Sequence, residues 1–380
     1  MKTHYNIIIA GAGGIAEAAG LILAEWSKVT PTIYIGNRTL SKAQKVAQWI
    51  MEGTTKPCKV IAFHLDPSDI SKEGATIFNN GDALLDCLPG SLAPKMASIA
   101  KNNNLYYANL TEYVAETNQI IEIAKNAETG FVLQTGIAPG YIDVLANHLF
   151  QNFCEQHMVN QVNTLEFKVG ALTNHAVAPH FYGFTWSPVG VATEYLKDSI
   201  VLRDYKKTNR PALSECARII INGITYEEDL TSGGAADLPD ALEGKVKNLH
   251  YKTLRHPGHY AWVKAQLKNL SNSKDAIADL QKIMQDQIPH IEDDQIVLYA
   301  AVEGKDLNGI LRRDEVAKHI KPKQVGKHKL RAIQTTTAAP LVQAIQWLLE
   351  TRPQGVILQS QLDTEPFLND EFITPVYGDI

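Results

Sequence analysis

Three small residues near the start of the chain have the spacing of a phosphate-binding turn. In the stretch IIIAGAGGIAEAAG, Gly11, Gly13 and Ala16 follow an apolar run and lead into a helix-like segment. The first glycine allows a tight turn, the second lets a pyrophosphate approach the backbone, and the small third residue lets the helix pack on the sheet. Gly14 and Ile15 would face the phosphate at the helix N-terminus. The pattern predicts a dinucleotide site, and a plain packing turn is the alternative.

The next strand end indicates which dinucleotide is bound. In IYIGNRTLSKAQ, Asn37 and Arg38 stand where a site for NAD usually offers a carboxylate to the ribose 2′-hydroxyl. No carboxylate would repel a 2′-phosphate here, and the guanidinium could bind it through two hydrogen bonds. The residues therefore favour NADP over NAD. The alternative is an arginine exposed on a solvated loop.

Two later strand ends carry proline and glycine turns. Leu88 and Pro89 end the run LLDCLPG, and Gly136, Ile137 and Pro139 lie in QTGIAPGYID. Ligands of open α/β sheets bind outside the carboxyl ends of the strands, so both turns would lie at the cofactor site. We expect them to line the nicotinamide side, with ordinary structural turns as the alternative.

These residues require a parallel sheet that brings the strand ends together. Short apolar runs alternate with helical stretches through the first third of the chain, as in a parallel sheet covered by helices. Six strands are predicted, at Asn6–Ala10, Thr32–Gly36, Lys59–Phe63, Ala83–Leu88, Leu105–Ala108 and Phe131–Thr135. They complete a doubly wound Rossmann sheet, which places the protein in the α/β class.

A second domain is expected beyond about residue 150. Longer alternating segments such as TLEFKVG and QIVLYAAVEG favour an α+β domain built on a mixed or antiparallel sheet. The helical segment Thr336–Glu350 is expected to return to the first domain. The predicted dinucleotide-binding domain therefore comprises residues 1–145 plus 331–380, and residues 146–330 form a substrate-binding and dimerisation domain.

Composition excludes several classes of partner. The 380 residues carry a net charge of −5 and no basic tract, so neither nucleic acid nor an anionic membrane surface is an expected partner. No apolar run reaches the roughly 18 residues of a membrane span. The four cysteines stand far apart and suggest no disulfide framework, so a protein of the reducing cytoplasm is expected. No Cys, His and Asp pattern has metal-ligand spacing, so no metal site is expected. A small metabolite is the expected partner.

Several motifs together resemble one family. GAGGIAEA, NRTLSKAQ, DCLPG, YANLTEY, TGIAPGYIDVLA and YKTLRHPGH occur in the order found in the saccharopine dehydrogenase-like family, and nearly the whole chain is similar to it. WSPVGVATEYLKDSIVL and GKVKNLHYKTLRHPGH resemble the substrate domain of its lysine ε-dehydrogenase branch. The resemblance implies a nicotinamide-dependent oxidoreductase that interconverts an amine and an imine on an amino-acid substrate. It also implies a homodimer joined through the second domain.

Candidate substrate groups lie in the second domain. An amino-acid substrate needs its carboxylate held and a base for its amine. Lys252 and Arg255 are candidates to clamp the carboxylate, and His259 is a candidate catalytic group because histidine titrates near neutral pH. Glu194, on a helix expected to begin at Pro188, is a candidate to meet the amine. The alternatives are a structural ion pair for Arg255, a helix cap for His259 and a surface ion pair for Glu194.

Three functions fit these residues. The first is an NADP-dependent oxidoreductase acting on the CH–NH group of an amino-acid substrate. The second is a reductase of the carboxynorspermidine type, acting on a conjugate of an amino acid and a polyamine. The third is an NADP-sensing binding protein without turnover. A carboxylate clamp with a titratable group beside the nicotinamide favours the enzymes, and an apolar second pocket favours the sensor.

Overall fold

A computed structural model describes residues 4–380 of the chain. Its internal contacts divide the chain into two units. The first unit contains the residues up to Tyr141 together with Lys323–Leu330 and Gln334–Ile380. The second contains Ile142–Pro322 and Arg331–Ile333.

The first unit is built on a seven-stranded parallel sheet and a two-stranded hairpin. Its strands are β1 Asn6–Ala10, β2 Thr32–Asn37, β3 Lys59–His64, β4 Ala83–Asp86, β5 Tyr106–Asn109, β6 Gly130–Val132, β15 Lys323–Val325, β16 His328–Leu330 and β17 Gly355–Ile357. Its helices are α1 Gly14–Trp26, α2 Leu40–Gly53, α3 Lys72–Asn79, α4 Ala93–Asn102, α5 Val114–Ala124, α11 Ala332–Thr351, α12 Thr364–Leu368 and α13 Thr374–Tyr377, with 3-10 turns at Gly90–Leu92 and Gln359–Gln361.

The strand order of the large sheet reverses direction at β1. The large sheet runs β17-β6-β5-β4-β1-β2-β3, so β2 and β3 lie on one side of β1, and the chain then crosses from β3 to β4 on the other side. The carboxyl ends of β1 and β4 therefore flank the crevice that doubly wound sheets use for dinucleotides. All six predicted strands are present and the α/β class is confirmed, but the fourth strand ends at Asp86 and not at Leu88, and the sixth ends at Val132 and not at Thr135.

The seventh strand was not expected. β17 pairs in parallel with β6, with Gly355 opposite Gly130. It has only three residues, too few to show a period, and it follows the proline-containing stretch after α11. Helix α11 contributes a fully buried Leu348, whose Cδ2 lies 2.5 Å from where a Cβ on Gly130 would stand. The C-terminal segment thus completes this sheet.

The hairpin of β15 and β16 also belongs to the first unit, although the sequence placed it in the second domain. Val325 and Leu330 are buried, while the ring of His328 stacks on Trp49 of α2 at 4.2 Å between ring centroids. The His328 side chain also bonds to the Trp49 carbonyl oxygen. These contacts explain why the hairpin clusters with the helices of the first unit.

The second unit is built on an eight-stranded mixed sheet. Its strands are β7 Val162–Thr173, β8 Ser199–Arg203, β9 Lys206–Arg210, β10 Ala217–Ile221, β11 Ile224–Leu230, β12 Val246–Arg255, β13 Asp294–Lys305 and β14 Leu311–Ile320. Its helices are α6 Tyr141–His157, α7 Pro188–Leu196, α8 Leu238–Ala241, α9 His259–Asn269 and α10 Ala276–Gln287.

Pairing in this sheet is antiparallel except at its centre. The main order is β10-β11-β12-β7-β13-β14, with β8 on β12 and β9 on β8. β12 and β7 run in parallel, which makes the sheet mixed, as one of the two expected forms. Aromatic side chains of α7 and α9, including Tyr195, Tyr260 and Trp262, pack into one apolar cluster with Met284 of α10. That cluster holds the site described below.

Candidate functional site

The first turn after β1 accepts only glycine at its first position. Gly11 has a φ of +121°, and a Cβ there would lie 2.9 Å from the carbonyl oxygen of Cys87 at the end of β4. Its N–H donates to the carbonyl oxygen of Gly36 on β2. Since L side chains rarely adopt this φ and the space is filled by backbone, the turn requires glycine.

The second glycine leaves room for a ligand. A Cβ on Gly13 would meet no atom within 4 Å, and Gly13 precedes the first turn of α1 without a side chain to cap it. The N–H groups at the start of a 13-residue helix then remain available to an anion. Gly14 and Ile15 are both partly exposed. These residues fit the pyrophosphate of a dinucleotide.

The end of β2 has the residues that the sequence assigned to the ribose phosphate. Asn37 uses its side-chain amide to hold the following turn, donating to the carbonyl oxygen of Thr39 at 3.1 Å. Arg38 is exposed. An exposed guanidinium at a carboxyl strand end suits a 2′-phosphate, because it can form two charge-assisted hydrogen bonds.

The other two turns differ in exposure. Leu88 is partly exposed and Pro89 is exposed. Ile137 and Pro139 are buried. Gly136 is also buried, and its carbonyl oxygen would lie 2.1 Å from a Cβ on Gly140, whose φ is +135°. The turn after β6 is therefore a compact backbone loop, and the turn after β4 is the more open of the two.

A buried carboxylate that sequence reasoning missed lies beneath the open turn. The Oδ1 atom of Asp86 accepts a hydrogen bond from the N–H of Leu88 at 3.0 Å, and its Oδ2 accepts one from the Tyr107 hydroxyl at 2.8 Å. Burial raises the pKa of Asp86 to about 6, although both hydrogen bonds oppose that rise. An acidic residue closing the otherwise apolar strand ALLD was the signal in the sequence.

In the second unit, two of the predicted groups form an ion pair. The Nη2 atom of Arg255 donates to Oε1 of Glu194 at 2.8 Å, and its Nε donates to the hydroxyl of Tyr195 at 2.6 Å. The Arg255 side chain is 2% exposed and the Glu194 side chain 15%. The carboxylate is therefore the more accessible member of the pair.

The third predicted group joins the same network. The Tyr195 hydroxyl and Nε2 of His259 are 3.0 Å apart, and Nδ1 of His259 lies 2.7 Å from the carbonyl oxygen of His180. Burial, with a further contribution from the positive charge of Arg255, lowers the pKa of His259 to about 3. The structure thus brings Glu194, Arg255 and His259 together, and it adds Tyr195, which the sequence did not single out.

The geometry favours a supporting role for Arg255 over the carboxylate clamp expected from the sequence. Its three nitrogens donate to Glu194, Tyr195 and the carbonyl oxygen of Leu254. Lys252, the other candidate clamp, is also buried and donates to Glu228 and to a backbone carbonyl oxygen. The charges and hydrogen-bond donors of Arg255 and Lys252 are therefore directed at groups within the protein.

Among residues 4–380, no group of three or more His, Cys, Asp or Glu side chains is arranged to hold a metal ion. Within the same residues, no helix combines the length and apolar character needed to cross a membrane.

The chain matches two models of one family. The model described as the saccharopine dehydrogenase NADP binding domain matches residues 7–133. The model described as the saccharopine dehydrogenase C-terminal domain matches residues 136–375. Together they span nearly the whole sequence.

Two solved structures share the fold. Apo saccharopine dehydrogenase (L-Glu forming) from Saccharomyces cerevisiae superposes with a TM-score of 0.72 at 15% sequence identity, covering 98% of each chain. Homospermidine synthase from Legionella pneumophila, solved in complex with NAD, gives 0.67 at 13% identity, covering 99% of this chain and 90% of the other. At these identities the likeness is one of fold alone. With both family models matched, the chain belongs to the saccharopine dehydrogenase family, a family of oxidoreductases with an NADP-binding domain.

Proposed function

We propose that the protein is an NADP(H)-dependent oxidoreductase that interconverts an amine and an imine on an amino-acid substrate. The observation that carries this proposal is the Glu194 side chain, which is 15% exposed and whose carboxylate is held by a buried arginine. A fixed carboxylate suits a cationic amine both as a counter-ion and as a base. The homodimer and the cytoplasmic location expected from the sequence remain predictions.

The cofactor half of the proposal assigns residues of the first unit. Backbone N–H groups at Gly13, Gly14 and Ile15 would hold the pyrophosphate, and Arg38 would bind the 2′-phosphate. Once bound, NADP(H) supplies the group that takes or gives a hydride. Homospermidine synthase, which shares the fold, was solved in complex with NAD. We therefore assign the preference of this protein for NADP to Arg38 and not to the fold.

The substrate half assigns residues of the second unit. An ammonium group must lose a proton before the neighbouring carbon can give up a hydride, because the nitrogen lone pair then forms the C=N bond. Glu194 would accept that proton and return it in the reverse direction. Arg255 would position the Glu194 carboxylate, and it would not contact the substrate itself.

The carboxynorspermidine type of reductase is the second candidate. Neither Arg255 nor Lys252 is available as a clamp, since both have buried internal partners. A substrate rich in amines would meet Glu194 without needing a guanidinium from these positions. A non-catalytic NADP sensor would bind the cofactor equally well and would show no turnover.

Turnover against matched substrates tests the proposal. NADPH oxidation is followed by absorbance with 2-oxo acids and aldehydes, each paired with lysine, glutamate or a diamine. We expect NADPH oxidation with at least one pair that includes an amino acid, and we expect Glu194→Gln to lower kcat at least tenfold while leaving NADPH affinity unchanged. Activity with diamine pairs only would support the second candidate. NADPH binding without oxidation by any pair would contradict both enzymes.

Cofactor choice is tested separately by binding. We expect at least tenfold tighter binding of NADPH than NADH, the scale of one charge-assisted contact worth roughly 1.5–3 kcal/mol. Arg38→Asp should reverse this order in a fluorescence titration. Lys59→Asp makes the same charge change at the amino end of β3, whereas Arg38 follows the carboxyl end of the paired strand β2, and it should leave the preference intact. Equal affinities in the unmodified protein would refute the role of Arg38.

A further inference from the structure

The hydrogen bonds from His180 to Glu194 have one allowed direction. A carbonyl oxygen can only accept, so Nδ1 of His259 carries the proton that it donates to the His180 carbonyl oxygen. Burial keeps the His259 ring neutral by lowering its pKa to about 3. The other ring nitrogen, Nε2, is then an acceptor, and the Tyr195 hydroxyl at 3.0 Å must donate to it.

That assignment fixes the next two bonds. Having donated its only hydrogen to His259, the Tyr195 oxygen is an acceptor for the Arg255 Nε–H at 2.6 Å. The guanidinium then directs Nη2 at Glu194 and Nη1 at the carbonyl oxygen of Leu254. Reversing the histidine tautomer would leave an unprotonated Nδ1 facing the His180 carbonyl oxygen, two acceptors in contact, and the Tyr195 hydroxyl would lose Nε2 as the acceptor for its hydrogen.

Two aromatic rings lie close to the Arg255 guanidinium. The Arg255 guanidinium carbon lies 5.0 Å from the ring centroid of Tyr182 and 5.5 Å from that of Tyr195. The indole of Trp262 stacks on the ring of His259 at 6.1 Å. Each contact limits rotation of a group in the chain of hydrogen bonds.

Backbone geometry fixes the His180 carbonyl, which is the last acceptor in this series of hydrogen bonds. Phe181, next to the carbonyl of His180, has a φ of +48°, which is uncommon for a residue with a side chain. Its ring packs on Gly258, where φ is +102° and a Cβ would lie 2.7 Å from the ring. The Pro-Gly turn before α9 therefore fixes both His259 and the carbonyl that His259 binds.

We infer that Tyr195 and His259 are positioning residues that hold Arg255, and through it the carboxylate of Glu194, in a single orientation. Glu194 meets the substrate only under the proposed function, on which this inference rests. His259 acts in this account as a fixed acceptor for Tyr195 and takes no part in proton transfer, in contrast to the catalytic role expected from the sequence.

Two substitutions of one histidine separate its two bonds. A glutamine at 259 can place an acceptor near the position of Nε2, whereas an asparagine reaches only the position of Nδ1. We expect His259→Gln to retain turnover within about threefold and His259→Asn to lower kcat at least tenfold, with NADPH affinity unchanged in both. Tyr195→Phe should lower kcat as much as His259→Asn. The double variant that combines Tyr195→Phe with His259→Asn should have a kcat no lower than that of Tyr195→Phe alone. Equal losses in the Gln and Asn variants, or additive losses in the double variant, would overturn the inference.

A spectroscopic readout keeps the inference testable if no substrate is found. In ¹⁵N-labelled protein, His259 should show the tautomer with hydrogen on Nδ1, and the Arg255 Nε–H resonance should move in His259→Asn and Tyr195→Phe but not in His259→Gln. An Nε2–H tautomer, or an unmoved arginine resonance, would overturn the positioning chain whatever the activity. If the spectra are as expected but no turnover is found, the positioning roles of Tyr195 and His259 are supported and only the proposed function is rejected.

Discussion

Gly11 and Gly13 lie in one turn but meet opposite constraints. Gly11 has a positive φ and backbone where a methyl group would go, whereas Gly13 faces open space. Local strain at a positive φ costs roughly 1–3 kcal/mol for a residue with a side chain. One glycine is thus required by the fold, and the other leaves the space that we assign to the cofactor.

Alanine at each position separates the two roles. Gly11→Ala should lower the free energy of unfolding by at least about 1–3 kcal/mol, because strain and the clash with Cys87 add. Gly13→Ala should leave stability nearly unchanged and weaken NADPH binding at least tenfold, because the methyl group fills the space that we assign to the pyrophosphate. Urea denaturation and fluorescence titration measure the two effects. Undiminished NADPH binding by Gly13→Ala would place the cofactor elsewhere.

His259 links stability to pH. Burial lowers its pKa in the folded protein to about 3, below the ordinary value of 6.5. As pH falls below 6.5, the unfolded chain takes up a proton at His259 that the folded chain does not. The free energy of unfolding therefore decreases as pH falls from 6.5 to about 3. A full proton difference corresponds to about 1.4 kcal/mol per pH unit.

His259→Gln removes this linkage. Between pH 6 and 4, the free energy of unfolding of the variant should fall less steeply with decreasing pH, by about 1.4 kcal/mol per unit. Urea titrations at several pH values measure the slopes. Identical slopes in the variant and the unmodified protein would contradict a neutral buried His259.

At the scale of elements, α7 carries both Glu194 and Tyr195. The helix begins at Pro188 with Ser187 at the N-cap, as the sequence predicted, although the serine side chain makes no capping bond. Gly190 lies one turn before Glu194 and packs against Trp186, where a Cβ would stand 2.3 Å from the indole. The position of the carboxylate thus depends on a close approach between the helix and the segment that precedes it.

Gly190→Ala tests that dependence. The added methyl group must displace the indole or the helix, and overpacking of this kind costs roughly 1–3 kcal/mol. We expect kcat to fall severalfold while NADPH affinity is unchanged. Val189→Ala, at a neighbouring position 36% exposed, should leave both unchanged. Normal turnover by Gly190→Ala would show that the orientation of α7 does not limit the reaction.

At the scale of the whole molecule, both ends of the chain build the first unit. β17 extends the sheet at β6, and Leu348 of α11 packs beside Gly130 at the start of that strand. Residues more than 200 positions apart in sequence therefore share one core. A destabilising substitution in α11 should therefore lower the stability of the unit that is proposed to bind the cofactor.

Leu348→Ala measures this coupling. Removing a fully buried leucine should cost about 2–5 kcal/mol, whereas Leu311→Ala, at a position 55% exposed, should cost much less. In thermal unfolding, the transition lowered by Leu348→Ala should be the one that NADPH raises, because a ligand stabilises the unit that it binds. Loss of a transition insensitive to NADPH would contradict the assignment.

Local patterns in the sequence determined the first six strands of the parallel sheet, the glycine turn after β1 and the start of α7. Each follows from neighbouring residues: apolar runs of strand length, glycines at fixed spacing, or serine followed by proline. The family resemblance depended on such segments as well, because they occur in a fixed order along the chain.

Tertiary structure alone decided what the polar residues do. Arg255 and Glu194 are 61 positions apart, and no local pattern tells whether a strand-ending arginine faces a substrate or a buried glutamate. Tyr195 meets Arg255 only because α7 and β12 lie together, and the three-residue β17 forms only because β6 offers an unpaired edge. The physical reason is common to all three cases: burial and hydrogen-bond partners depend on long-range contacts, which the spacing of neighbouring residues does not encode.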